Sequence, residues 1–194
     1  IISEHVKEKP DLRSLPDHHE IKNILPALRM LFQGEQPKVL KYRNTALIQK
    51  FSQSGEEFRK ASLPFSPDII VYCKSRYLYL DDPDDPEKLI GSAKKAIPAF
   101  RAKYGYDPKI IMIGNVGLVA AEENAKSAET AMDVYEDLLK ISHLTENFGG
   151  PRFMTPGQIA FIDNWEVEHY RRKVAKGVAG SGHVENKIAI VTGG

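Results

Sequence analysis

The stretch KIIMIGNVGLVAA, Lys109 to Ala121, decides how the chain folds. An apolar run of β-formers enters Gly-Asn-Val-Gly, and a second apolar run leaves it. Parallel neighbours in a sheet need a crossover of a dozen or more residues, usually a helix. The turn leaves no room for one, so the sheet that holds these strands cannot be purely parallel.

Reading outward, ENAKSAETAMDVYEDLLKISHLTEN places Ala128, Ala131, Met132, Tyr135, Leu138 and Leu139 at helical spacing. Upstream, DDPDDPEKLIGSAKKAIPAFRAKYG predicts another helix. Asp85 caps it, Pro86 suits its first turn, Gly105 ends it, and Pro98 should kink it. Leu89, Ala93, Ala96, Ile97, Phe100 and Tyr104 form one face. KVLKY predicts a strand and NTALIQKFSQ a short helix with Asn44 as N-cap. PFSPDIIVYCKSRYLYL holds two strand-like runs, Ile69 to Tyr72 and Tyr77 to Leu80. Helical spacing also runs from Glu20 to Phe32, with Pro26 at its start or at a bend and Gly34 as its stop. TPGQ opens a last helix through a capping box of Thr155 and Gln158, and that helix carries Ile159, Ile162, Trp165 and Tyr170.

These elements predict a three-layer α/β domain, a mixed or antiparallel central sheet flanked by helices, over residues 20–176. Residues 1–19 are polar, contain Pro10 and Pro16, and read as a linker or N-terminal arm. Residues 177–186 form a Gly-rich linker. Residues 187–194, KIAIVTGG, read as the first strand of a dinucleotide-binding domain, truncated before its helix. A glycine turn holds pyrophosphate through backbone N–H groups and a helix N-terminus. Here neither the helix nor an acidic ribose partner follows, so this fragment is expected to bind no cofactor. The chain reads as an excised piece of a longer polypeptide.

With 27 Lys and Arg against 26 Asp and Glu, the formal charge is +1. That leaves no broad electrostatic case for nucleic acid or an anionic membrane. The basic run HYRRKVAK reads as a solvated helix end. The lone Cys73 excludes an internal disulfide, suits the cytoplasm, and reads as a small buried residue. No apolar stretch approaches the roughly 20 residues that span a bilayer.

No catalytic or metal-binding constellation emerges. Zinc needs three or four converging ligands. The six histidines include no His-x-His pair, and His143 is placed on a polar turn of its helix. The carboxylates from Asp81 to Glu87 lack the ligand spacing and turning glycine of a cation loop, and Asp85 serves a helix start. No nucleophile elbow is present, and no tyrosine has a lysine four residues on; Tyr170 and Lys173 are one residue short.

IMIGNVGLVAAEENAKSAETAMDVYEDLLKISH nevertheless resembles the late signature of the class II aldolase/adducin family, in which an Asn-His-Gly-Leu turn supplies a zinc ligand. Asn115, Gly117 and Leu118 match that turn, and Val116 stands where the histidine would be. VENKIAIVTGG is similar to the opening of short-chain dehydrogenases. SPDIIVYCKSRYLYL, GNVGLVAAEENAKSAETAMDVY and FIDNWEVEHYRRK resemble the middle segment of bifunctional sugar-phosphate aldolase/short-chain dehydrogenases, the rhamnulose-1-phosphate aldolase/alcohol dehydrogenase family.

The resemblance implies a class II aldolase-like fold without metal chemistry. It implies a parent chain that uses zinc and NAD to cleave a deoxyketose phosphate and to oxidise or reduce the lactaldehyde released. Thr192, Gly193 and Gly194 would start the phosphate turn only in that parent. The expected role here is a catalytically silent scaffold that joins the aldolase and dehydrogenase domains and contributes homo-oligomer contacts. The alternative is a module that binds a sugar or phosphate in a remnant cleft at Asn115, Val116 and Gly117.

Overall fold

A computed structural model describes residues 6, 8–32, 37–81 and 85–164. Four strands form one sheet: β1 (Val39–Arg43), β2 (Leu78–Leu80), β3 (Ile110–Ile113) and β4 (Gly117–Glu122), in the order β1-β4-β3-β2. β4 runs antiparallel to both β3 and β1, with Ile113 opposite Gly117 and Arg43 opposite Leu118. β2 runs parallel to β3, because the helix Pro86–Tyr104 intervenes between them in the chain. The sheet is therefore mixed.

The described helices are α1 (Ile21–Arg29), α2 (Ala46–Ser52), α3 (Gly55–Arg59), α4 (Pro67–Cys73), α5 (Pro86–Tyr104), α6 (Ala125–Thr145) and α7 (Pro156–Asp163). Strand alternation sorts them into two outer layers. Ile110, Met112, Leu118 and Ala120 join a cluster with α2, α3, α4 and α6, through Ile48, Phe51, Phe58, Ile69, Met132 and Tyr135 among others. Ile111, Ile113 and Val119 join the opposite cluster with Ile24 and Leu28 of α1 and Leu89, Ala93 and Ile97 of α5. Both faces of β3 and β4 are covered, which is why these strands read as continuous apolar runs rather than alternating ones.

Most helix ends follow from local chemistry. Asp85 accepts from the N–H groups of Glu87 and Lys88, and Gly105 takes a left-handed φ of 78° at the other end of α5. The helix continues through Pro98. Thr155 and Gln158 close their reciprocal capping box on α7. All six residues of the predicted stripe on α6 are buried. Trp165 and Tyr170 lie outside the described residues.

Three elements differ from the sequence reading. Ile69 to Tyr72 is helical, within α4, and not a strand. Ser66 is extended, Pro67 takes a first-turn position and Asp68 follows it, a helix start that the β-branched run obscured. The run is apolar around most of its circumference because α4 lies between two partners. Ile69 and Cys73 pack in the cluster that holds α6, while Ile70 packs on Ile159 and Ile162 of α7. Second, Thr45 rather than Asn44 caps α2, accepting from the Ile48 N–H. Asn44 instead donates to the Pro16 carbonyl and accepts from Gln49. Third, α1 ends at Arg29, and Gly34 lies outside the described residues.

The segment before α1 is docked where it is described. The carbonyls of Asp11 and Arg13 accept from Leu47 and Ala46, two N–H groups of the first turn of α2 that no helical carbonyl reaches. Leu15 donates to the Asn44 carbonyl.

Candidate functional site

The β3–β4 turn is the position that the sequence marks. Asn115 sits at φ 51° with its side chain exposed, and Gly117 at φ 144°. Neighbouring elements hold the backbone of this turn at several points. The Asn115 N–H donates to the Ser52 carbonyl at 3.3 Å, and Gln49 donates to the Asn115 carbonyl at 3.3 Å. The Tyr42 hydroxyl donates to the Val116 carbonyl at 2.7 Å and accepts from the His18 N–H. The Gly114 N–H donates to the Leu80 carbonyl at 2.8 Å. Tyr79 adds a hydroxyl bond to the Ser52 carbonyl. Burial raises the Tyr42 phenol above its usual range, so it remains a donor at neutral pH.

Val116 itself is 1% exposed and belongs to the core cluster of Ile113, Val119 and Leu80. Zinc is bound by thiolate, imidazole or carboxylate groups. This turn offers a buried isopropyl group, an amide and a glycine, and those donors do not fit zinc. Among the described residues, no three His, Cys, Asp or Glu side chains converge on a point that could hold a metal. Two cavities lie elsewhere. One, of about 450 Å³, lies between α1 and α5, and one, of about 390 Å³, at the C-terminal end of α6. Asn115, Val116 and Gly117 line neither.

His143 is not on a polar turn, as its helix pattern suggests, but 5% exposed. Its Nδ1 lies 2.8 Å from Lys50 Nζ and its Nε2 3.2 Å from the Glu8 carbonyl. A lysine ammonium only donates and a carbonyl only accepts, so the imidazole carries its proton on Nε2. Its role is to tie the segment at Glu8 to α6. Thr192, Gly193 and Gly194 lie outside the described residues.

Cys73 is fully buried and donates to the Ala131 carbonyl at 3.2 Å. Burial pushes its thiol far above the ordinary cysteine range. Only the thiolate is nucleophilic. The native protein should therefore leave Cys73 unmodified by a disulfide reagent over minutes, with one thiol titrating after denaturation. Rapid labelling of the native form would place Cys73 at an accessible site.

A charged network went unnoticed in the sequence. Arg43 on β1 reaches Glu136 at 2.6 Å, Asp133 at 2.7 Å and Glu129 at 2.5 Å on α6, and Lys41 also pairs with Glu129. Burial would pull the Arg43 guanidinium down, but the bonds from Asp133 and Glu136 outweigh it and hold it above its ordinary value. The signal was available: 41 and 43 share a strand face, and 129, 133 and 136 share a helix face. The network ties α6 to the edge strand and is structural.

The comparisons with known proteins agree with this architecture. A family model described as aldolase class II, second domain, matches residues 19–106. The solved L-fuculose 1-phosphate aldolase superposes with a TM-score of 0.53 at 16% identity, covering 74% of this chain and 60% of its own. YgbL, a putative aldolase/epimerase/decarboxylase from Escherichia coli, gives a TM-score of 0.46 at 17% identity, covering 63% of this chain and 56% of its own. The chain thus spans 56% to 60% of the length of these structures. No curated protein sequence matches it significantly. Among the described residues no helix is long and apolar enough to cross a membrane. The mixed sheet and its flanking helix layers give the chain an α/β fold similar to that of class II aldolase structures.

Proposed function

We propose that the domain is a non-catalytic scaffold and assembly segment of a bifunctional sugar-phosphate aldolase/NAD-dependent short-chain dehydrogenase. The observation that carries the reading is Val116. At the turn where the resembled family holds a zinc-ligating histidine, this chain buries an apolar side chain at 1% exposure and bonds the turn from Tyr42, Gln49 and Ser52. A site under selection for a metal keeps its donors convergent and an open position for substrate. Here the same turn serves the core. In the parent chain the aldolase metal ligands would lie upstream. Thr192, Gly193 and Gly194 would begin the NAD phosphate turn of a complete dehydrogenase domain downstream. The parent reaction would be cleavage of a deoxyketose 1-phosphate to dihydroxyacetone phosphate and lactaldehyde, followed by redox of the aldehyde.

The test is an aldol-cleavage assay of this chain with a deoxyketose 1-phosphate, with and without added zinc, read by triose-phosphate release. No turnover above background is expected. Val116→His should not create any, because one imidazole cannot hold zinc. Zinc-dependent cleavage by the unaltered chain would overturn the reading. Calorimetry with the same sugar phosphate and with NAD completes it: neither should bind this chain, and NAD should bind a chain extended through the dehydrogenase. Micromolar sugar-phosphate binding that is lost in Asn115→Ala would favour the remnant-cleft alternative.

A further inference from the structure

Residues 8–18 lie along the domain without entering its core. None of them is buried. The ion pair of Arg13 with Asp11 is internal to the segment, and its side chains are 80% and 41% exposed. What holds the segment is its backbone. The carbonyls of Asp11 and Arg13 accept from the Leu47 N–H at 2.8 Å and the Ala46 N–H at 3.0 Å, and the Leu15 N–H donates to the Asn44 carbonyl at 3.0 Å. The two ends are fastened in the same way. The Glu8 carbonyl accepts from His143 at 3.2 Å, the Pro16 carbonyl from the Asn44 side chain at 2.8 Å, and the His18 N–H donates to the Tyr42 hydroxyl at 3.3 Å.

The boundary of this attachment is sharp. Ile21, Ile24 and Leu28 of α1 are buried, so the chain becomes part of the core just after His18. A segment held by backbone hydrogen bonds with few buried apolar contacts sits at the low end of local stability and opens without the rest. The cost of opening is confined to its own partners. The Ala46 and Leu47 N–H groups turn to water at the start of α2. Tyr42 keeps its bond to the Val116 carbonyl, and His143 keeps Lys50, which in turn keeps Glu146.

We infer that residues 8–18 form a strap that opens and recloses as one unit while the domain stays folded. Closed, the strap lays its carbonyls on α2 and adds a second bond, from His18, to the Tyr42 hydroxyl that locks the β3–β4 turn. Open, it becomes extended chain at about 3.3–3.6 Å per residue, and whatever precedes Glu8 moves away by up to roughly 35 Å. In the scaffold proposed above, this gives the preceding domain two distances from this one. That use rests on the scaffold reading; the opening itself does not.

Amide hydrogen exchange of the full 194-residue chain tests it, followed residue by residue by NMR at increasing sub-denaturing urea. The N–H groups of Leu15, Ala46 and Leu47 should share one degree of protection and exchange at least about a hundredfold faster than those of Leu138 and Leu139 in α6. Their exchange should hardly respond to urea, because opening the strap exposes little surface. Asn44→Ala removes the bond to the Pro16 carbonyl. It should speed exchange at the three positions by about two- to tenfold, the worth of one hydrogen bond, and leave α6 unchanged. Exchange at the three positions as slow as in α6, with the same urea dependence, would make the segment part of the global unit and overturn the inference. So would an unprotected Leu15, which leaves no closed state, or exchange indifferent to Asn44→Ala. The aldol-cleavage assay reports separately, so catalysis by this chain would end the scaffold reading and leave the exchange result standing.

Discussion

Gly117→Ala should destabilise the domain by about 2–5 kcal/mol, combining backbone strain with overpacking. Two independent features require glycine there. The residue sits at φ 144°, where L side chains are strained. A Cβ would also lie 2.8 Å from Cε2 of Tyr42 and 2.9 Å from the Arg43 carbonyl oxygen. Arg43 is paired with Leu118 in the β1–β4 register, so its backbone cannot retreat without disturbing that pairing. The Tyr42 ring is tethered by its hydroxyl bond to the Val116 carbonyl. Relief of the clash thus disturbs either the β1–β4 pairing or the lock on the turn. The measurement is the urea midpoint, with Gly157→Ala as the control. That glycine lies in α7, where a Cβ meets nothing within 4 Å, so alanine should be neutral or slightly stabilising. Equal midpoints for the two variants would show that β1 and β4 are not this close at the turn.

Tyr135→Ala should cost about 3–5 kcal/mol, the range for a large aromatic truncated in a core. Tyr135 is fully buried on α6, among side chains from the sheet and from α2, α3 and α4. Its ring meets Tyr77 edge-on with centroids 4.8 Å apart, and its hydroxyl donates to the Ala61 carbonyl at 3.1 Å. Burial drives its phenol well above the usual tyrosine range, so the hydroxyl keeps its proton and its role as donor. Tyr135→Phe separates the two contributions. It keeps the ring and leaves the Ala61 carbonyl without that partner, for about 1–3 kcal/mol. Thermal or urea unfolding of both variants decides it. A phenylalanine variant as unstable as the alanine one would mean that the hydrogen bond, not the packing, anchors α6.

The turn at Val116 depends on both local and distant residues. Gly-Asn-Val-Gly was legible as a tight turn between antiparallel strands because glycine spacing and flanking apolar runs are local signals. The bonds that hold it were not, since Tyr42 lies 74 residues and Gln49 66 residues from the groups they bond in the turn. Nothing in the periodicity of β1 or α2 announces those contacts. His143 shows the same divide. Its place on α6 was readable, but its burial comes from Lys50 and from the segment at Glu8, 135 residues away.

By itself the sequence determined that the sheet is not purely parallel, the two long helices with the Asp85 and Gly105 ends of one of them, the capping box of α7 and the turn that lacks metal donors. Each of these rests on interactions within a few residues: a missing crossover, an Asp85 or Thr155 side chain reaching its own first turn, a 3.6-residue stripe. Tertiary structure alone decided that Ile69 to Tyr72 is helical. A short apolar run satisfies strand and buried helix equally, and only the placement of α4 between α6 and α7, with apolar partners on both sides, selects the helix. It also decided which cap serves α2, because the incoming segment takes Asn44 for its own carbonyl and leaves Thr45 to the helix.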